Sequence, residues 1–211
     1  MKKLNLTLLF VIIAAVIFSS CKKDGGGKSN TITATYYFKG TLNGQALTWQ
    51  ATNDMTGYYT GSAGMLTNDQ GVITGGLTAL LSASTGLKPQ LGIEFRTFQV
   101  NTSQDIPTYF NGFVTTGAWA FAANADYPAG AKAIAIYYTD ASGKQYSSVG
   151  SQTGNSSNVA AVTPIPAQLG SNESLKIKVT FGCTLYPVDG TGSNLSLTGG
   201  EATVLLEDLL Y

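Results

Sequence analysis

From about Thr31 to the end of the chain, apolar and polar residues alternate with a period of two, the spacing of strands that bury one face. Ile32, Ala34, Tyr36 and Phe38 share a face opposite Thr31, Thr33, Thr35 and Tyr37. Asn43-Gly44 then supplies a tight hairpin turn into a returning strand from Ala46 to Ala51, with Trp49 facing either inward or toward the open side of the sheet. Residues 71–82 predict a further strand interrupted by Gly75-Gly76, where paired glycines mark a bulge or bend. Ile93 and Phe95 oppose Glu94 and Arg96, but Phe98 and Val100 fall on the other parity, so one extra residue near Thr97 is needed to restore the phase. Ile134, Ile136 and Tyr138 lead through Asp140-Ala141-Ser142-Gly143 into Lys144 to Val149, a hairpin. Ile177, Val179, Phe181, Cys183 and Leu185 form the cleanest alternation and point Cys183 into the core. A last strand runs from Ala202 to about Leu209, after Gly199-Gly200.

Strands at this spacing, with turn residues between them and no helical pattern longer than one turn, predict an all-β domain: an antiparallel β-sandwich or a partly closed barrel. Asn53 to Asp69 and Pro107 to Lys132 read as long loops, and long loops in a small domain are functional or mobile. No internal repeat occurs at a fixed period, which argues against solenoids and propellers.

The amino-terminal region breaks the pattern. Lys2-Lys3 precede an uncharged apolar run from Leu4 to Phe18, then Ser19-Ser20-Cys21. The run falls short of the roughly 20 residues that cross a bilayer and has the layout of a secretory signal. The small pair followed by cysteine resembles the lipobox of bacterial lipoproteins, with Phe18 in place of the usual aliphatic residue. That resemblance implies cleavage before Cys21 and acylation of its thiol and new amino terminus with fatty chains such as palmitate. The expected organisation is therefore a removed signal at residues 1–20, a lipidated Cys21 with a flexible tether at residues 21–30, and a β-domain at residues 31–211. The run KKDGGGKSN from Lys22 to Asn30 has a reach of roughly 15 to 18 Å as a flexible coil. Two acyl chains suffice for stable anchoring at about 0.8 kcal/mol per buried methylene.

Charge narrows the partners. Five of the twelve basic residues lie before Thr31, which leaves seven basic against eleven acidic residues in the β-domain. A mildly acidic domain with scattered cations lacks the basic stripe that nucleic-acid binding needs. The charged fraction is 11%, well below the usual quarter or so, in the manner of extracytoplasmic β-proteins. The chain has no histidine, so imidazole-based nucleophile systems and imidazole metal ligation cannot be built. Cys21 and Cys183 are the two cysteines, and lipidation of the first leaves the second without a disulfide partner.

Candidate chemistry is correspondingly thin. Paired carboxylates could support glycoside hydrolysis without histidine, but the acids are scattered and mostly read as solvated side chains or turn formers. Glu94 and Arg96, on the polar face of one strand, read as a surface pair worth at most about 1 kcal/mol. Asp140-Ala141-Ser142-Gly143 lacks the ligands of a calcium loop, and no metal or cofactor is expected. The positive signal is aromatic. Tyr58, Tyr59, Trp119 and Tyr127, read as loop residues, are candidates for a flat platform that stacks on sugar rings or anchors a protein partner. Against it stands ordinary sheet packing of the same residues.

The segments FKGTLNGQALTW (Phe38 to Trp49), YTDASGKQYSS (Tyr138 to Ser148) and the closing LTGGEATVLL resemble the small lipoproteins of unknown function common in Bacteroidota. Cys21 followed by Lys22-Lys23-Asp24 is similar to many outer-membrane lipoproteins of that phylum. The resemblance implies a lipid-anchored protein of the cell envelope at the outer membrane, on its periplasmic or its surface side. The leading expectation is non-catalytic binding of a glycan or an envelope protein. The alternative is a structural, assembly or adhesin-like subunit whose edge strands pair with neighbours.

Overall fold

The computed structural model describes residues 35–51, 57–84, 86–124, 132–167 and 172–209. Residues 1–34, which include the expected signal sequence, Cys21 and the expected tether, and Tyr127 lie outside them. Asn43 (φ 47°) and Gly44 (φ 82°) both take left-handed backbone conformations, which gives the mirror-image turn whose twist matches a hairpin. β1 (Tyr37–Leu42) and β2 (Gln45–Gln50) therefore pair in full register, Phe38 opposite Trp49. Trp49 turns inward and is buried against Phe38.

β3 (Tyr58–Asp69), β4 (Val72–Ala83) and β5 (Gln90–Asn101) form a three-stranded meander. Gly75 pairs with Phe98 and Gly76 with Arg96, so Thr97 is the extra residue of a bulge. The glycine pair and the phase slip at Thr97 thus mark one irregularity from its two sides. Gly75 is required there: its φ is 152°, and a Cβ would overlap the carbonyl oxygen of Met65 on β3.

The stretch expected as loop from Pro107 to Lys132 holds a helix and a strand. α1 (Ile106–Phe113) has Pro107 in its first turn and buries Phe110 and Phe113. β6 (Gly117–Phe121) follows and carries Trp119. β6 lies parallel to β7 (Ala133–Thr139), and Ala51 and Tyr58 form an isolated parallel bridge between the end of β2 and the start of β3. β8 (Gln145–Ser147) returns from the expected hairpin turn, β9 (Ser156–Ile165) adds a strand that the sequence pattern does not announce, and β10 (Ser174–Pro187) has the predicted alternation. β11 (Leu195–Glu207) begins before Ala202 and passes through Gly199-Gly200 as a bulge, since Phe181 opposes Gly200 but Cys183 opposes Leu197.

The described strands connect in the order β2-β1-β11-β10-β9-β6-β7-β5-β4-β3. β8 pairs with both β7 and β10, so β10, β9, β6, β7 and β8 close into a ring. The sheet folds back so that β4 and β11, far apart in the pairing order, face each other across the core. Leu77, Leu81, Ile93 and Phe95 come from one side, and Ile177, Val179, Val204 and Leu206 from the other. This is an all-β sandwich with partial barrel closure. Cys183 is buried within it.

Candidate functional site

Successive strand side chains alternate between the core and the opposite face. On β4, β5 and β7 the core takes Leu77, Ala79, Leu81, Ile93, Phe95, Ile134 and Ile136. Thr78, Leu80, Gln90, Gly92, Glu94, Tyr137 and Thr139 are left for the outer face. There they line a groove of about 490 Å³, with Ala63 and Met65 on the β3 side and Gln145 and Val188 on the other. The rims are apolar and open to solvent, Met65 at 66% and Val188 at 58% exposure. Gly92 sits between Leu80 and Tyr137 in the strand register and keeps the floor low. A Cβ there would come within 3.2 Å of Thr78 Cγ2 and 3.4 Å of Leu80 Cδ2.

One end of the floor is a buried charged network that overturns the expectation of a surface ion pair. Arg96 Nε donates to Glu94 Oε2 at 2.7 Å, and both residues are only 3% exposed. Arg96 also donates through Nη2 to the Tyr137 hydroxyl at 2.7 Å and through Nη1 to the Asn124 carbonyl at 2.7 Å. The Tyr137 hydroxyl in turn donates to Glu94 Oε2 at 3.0 Å. Gly76 and Ala133 flank Arg96 on the neighbouring strands, and Thr78 and Ala135 flank Glu94, so small neighbours leave room for the pair. Burial, reinforced by the Glu94 charge, raises the Tyr137 pKa and keeps the phenol neutral. The result is a fixed aromatic ring with its hydroxyl already satisfied.

The other polar groups of the groove are free to bind. Gln90 Nε2 donates to Ser82 Oγ at 2.6 Å, which orients the amide, and its oxygen has no partner among the described residues. The side chains of Thr139 and Gln145 likewise make no hydrogen bond among the described residues. Thr139 opposes both Gln90 and Gln145, which puts the three in one row across β5, β7 and β8. Two amides and a hydroxyl beside a tyrosine ring can hold a neutral, hydroxyl-rich ligand through paired donors and acceptors.

A second depression of about 500 Å³ adjoins the first and shares Gln145 and Val188 with it. Ser142, Gly143, Lys144 and Asp189 complete its lining. The Val188 amide donates to the Gln145 carbonyl at 2.9 Å, and the shared residues form the saddle between the two. Asp140 shapes the turn above it by accepting from Ser142 Oγ at 2.6 Å and from the Lys144 amide at 2.9 Å, and these bonds, the serine first, lower its pKa. Lys144 Nζ is tied to the Thr191 carbonyl at 2.6 Å and lies 4.0 Å from Asp189 Oδ1.

The aromatic residues singled out from the sequence lie elsewhere. Trp119 is 5% exposed in β6, edge-on to Phe95 and Phe113, with Nε1 donating to the Thr115 carbonyl at 2.8 Å. Tyr58 is the first residue of β3 and stacks on Trp49, centroids 4.9 Å apart, in a cluster that reaches Tyr138 and Tyr146. Tyr59 is half-buried opposite Ser82. Trp119 and Tyr58 are thus packed strand residues in separate clusters, where loop positions on one platform were expected. The groove residues were legible only as polar positions of strands, because nothing in a single strand shows which polar face is concave.

Among the described residues no helix is long and apolar enough to cross a membrane, and no group of three or more acids or cysteines is placed to hold a metal ion. Comparison of the chain with family models, curated proteins and solved structures gave no match.

Proposed function

We propose that this protein is a lipid-anchored component of the bacterial cell envelope that binds a glycan without transforming it, and that the glycan sits in the groove between Met65 and Val188. The observation that carries this reading is the row of Gln90, Thr139 and Gln145, whose free polar groups stand beside a tyrosine ring already pinned by Arg96 and Glu94. A volume of about 490 Å³ falls in the range of about 300 to 1,000 Å³ usual for small-ligand sites. Glu94 lines the groove as a carboxylate, but its Oε2 is engaged by a guanidinium and a phenol. That engagement suits a fixed structural charge better than a proton carrier. Anchoring is supported by the lipobox-like Ser19-Ser20-Cys21.

The full chain, solubilised in detergent from its native membrane, tests both parts. Intact mass should show residues 1–20 removed and acyl chains on Cys21, and an unmodified thiol there would remove the anchor. Titration with a panel of neutral and anionic oligosaccharides should give saturable heat, lost in Gln90→Ala and Gln145→Ala. Folded protein that takes up no member of the panel would end the glycan reading. A second reading, assembly through edge strands, draws on the strand order ending at β2 and β3, each paired on one side along that path. Self-association of the purified chain would favour it.

A further inference from the structure

We propose that the groove and the adjoining depression act as one continuous cleft for an internal stretch of an uncharged, linear polysaccharide, with the Gln145–Val188 saddle as the crossing point. The inference rests on the glycan-binding reading above and extends it to the class of glycan. Three observations carry it. The first is adjacency: two hollows of about 490 and 500 Å³ share Gln145 and Val188 in their linings. A ligand confined to one sugar or two would leave the second hollow empty.

The second is charge. In the first hollow Glu94 is matched by Arg96 at 2.7 Å. Around the second, Lys144 lies beside Asp189, while Lys88 Nζ packs against Gly143 where a Cβ would overlap it, on the turn that holds Asp140. Of the residues that line the two hollows Glu94, Lys144 and Asp189 are charged, and the one cation among them, Lys144, is held by the Thr191 carbonyl. A polyanion would meet a single lining cation, already tied to Thr191 and beside Asp189, against two lining carboxylates, Glu94 and the exposed Asp189. The third is the lining itself: Gln90, Thr139 and Gln145 offer neutral donors and acceptors in line toward the saddle, and Ser142 and Gly143 continue beyond it. Such a lining can accept successive sugar units of a chain with no requirement for a reducing or non-reducing end.

Isothermal titration of the detergent-solubilised full chain with neutral linear oligosaccharides of increasing length, of the cello-, malto-, xylo- and manno- types, tests this, with hyaluronan oligosaccharides as the anionic comparison. Affinity for the recognised series should rise by about tenfold as the chain becomes long enough to cross the saddle, because the second hollow then binds intramolecularly. Ser142→Tyr, which fills the second hollow, should remove that rise. Gly92→Val, which fills the first, should weaken all lengths. Binding of short oligosaccharides with no gain on lengthening would overturn the continuous cleft while leaving glycan binding intact, and tighter binding of hyaluronan would overturn the neutral class. Absence of binding to every series by folded protein would instead remove the glycan reading itself. The wild-type length series decides the matter even if a variant fails to fold.

Discussion

Arg96 and Glu94 stand two residues apart on β5, joined by a 2.7 Å bond between Nε and Oε2, and both are buried on the face of the strand that points away from the core. Their burial means that neither charge has water to fall back on. Arg96→Ala would leave the carboxylate in place without its guanidinium and remove the donor to the Tyr137 hydroxyl. A loss of about 3 to 5 kcal/mol is expected, read as a lower urea midpoint. Replacing both residues together, Glu94→Leu with Arg96→Met, should cost much less than Arg96→Ala alone, because the isolated buried charge is then gone. Equal losses in the two variants would show that packing, and not charge, sets the cost.

Gly75 makes a sharper demand of its backbone. A side chain at φ 152° is strained by about 1 to 3 kcal/mol before contact is counted, and here its first atom would also overlap the Met65 carbonyl oxygen. Gly75→Ala should therefore destabilise the fold by more than about 2 kcal/mol. Gly61→Ala on β3 is the matched control, since nothing lies within 4 Å of a Cβ at that site. The control should melt within a few degrees of the parent, and similar losses in both would refute the role assigned to the bulge.

The same bulge shows how much of the fold was legible. Gly75-Gly76 and the parity slip at Thr97 could be read from the chain because an alternating pattern that breaks its phase has few ways to recover. Asn43-Gly44 and the inward Cys183 were legible for related reasons, local turn chemistry and an uninterrupted period of two. β3 was not, because Gly61, Ser62, Ala63 and Gly64 at its centre carry no hydrophobic contrast. Its place is set by β4 and by Ser62, whose hydroxyl donates to the Leu205 carbonyl and accepts from the Glu207 amide on β11. α1 spans only eight residues, too few for a helical period to stand out. The Glu94–Arg96 pair looked solvated because charge on an alternating strand signals its outward face, whereas burial there depends on the Asn124 carbonyl, Tyr137 and small neighbours on β4 and β7. The groove was hidden for the same reason.

Glu201 gives the outer face of β1, β10 and β11 a dependence on acid. The Tyr37 hydroxyl donates to its Oε1 at 2.6 Å, and Lys39 and Lys178 lie 3.1 and 3.4 Å from the carboxylate. The tyrosine first, and then the lysines, lower its pKa below the usual carboxylate value of 4.5. Because the folded form holds the ionised state better than the unfolded chain does, this stabilisation is present above about pH 4.5 and is lost as pH falls through the lowered value. Glu201→Gln, which mimics the protonated acid, should lower the neutral plateau of a melting-temperature profile and approach the parent at low pH, so that the acid limb is flatter. An unchanged acid limb would assign the acid sensitivity to other carboxylates.

Cys183 sets the opposite limit. Its thiol lies on the inward face of β10 between Phe181 and Leu185, and burial alone pushes its pKa up to about 12 from 9.0. The thiolate is the reactive form, so a native molecule at pH 8 should resist alkylation by iodoacetamide and react only on unfolding. The raised value also works on stability. Below about pH 9 folded and unfolded thiols are both protonated and the contribution is constant. Between about pH 9 and 12 the unfolded chain gives up its proton first, and stability falls with a slope approaching about 1.4 kcal/mol per pH unit. Cys183→Ala removes a buried sulfur and lowers stability at pH 7, but its decline across that alkaline window should be shallower than the parent's by that slope. Parallel curves for the two proteins would mean that the buried thiol does not titrate with folding, and rapid labelling at pH 8 under native conditions would mean that this part of β10 opens to solvent.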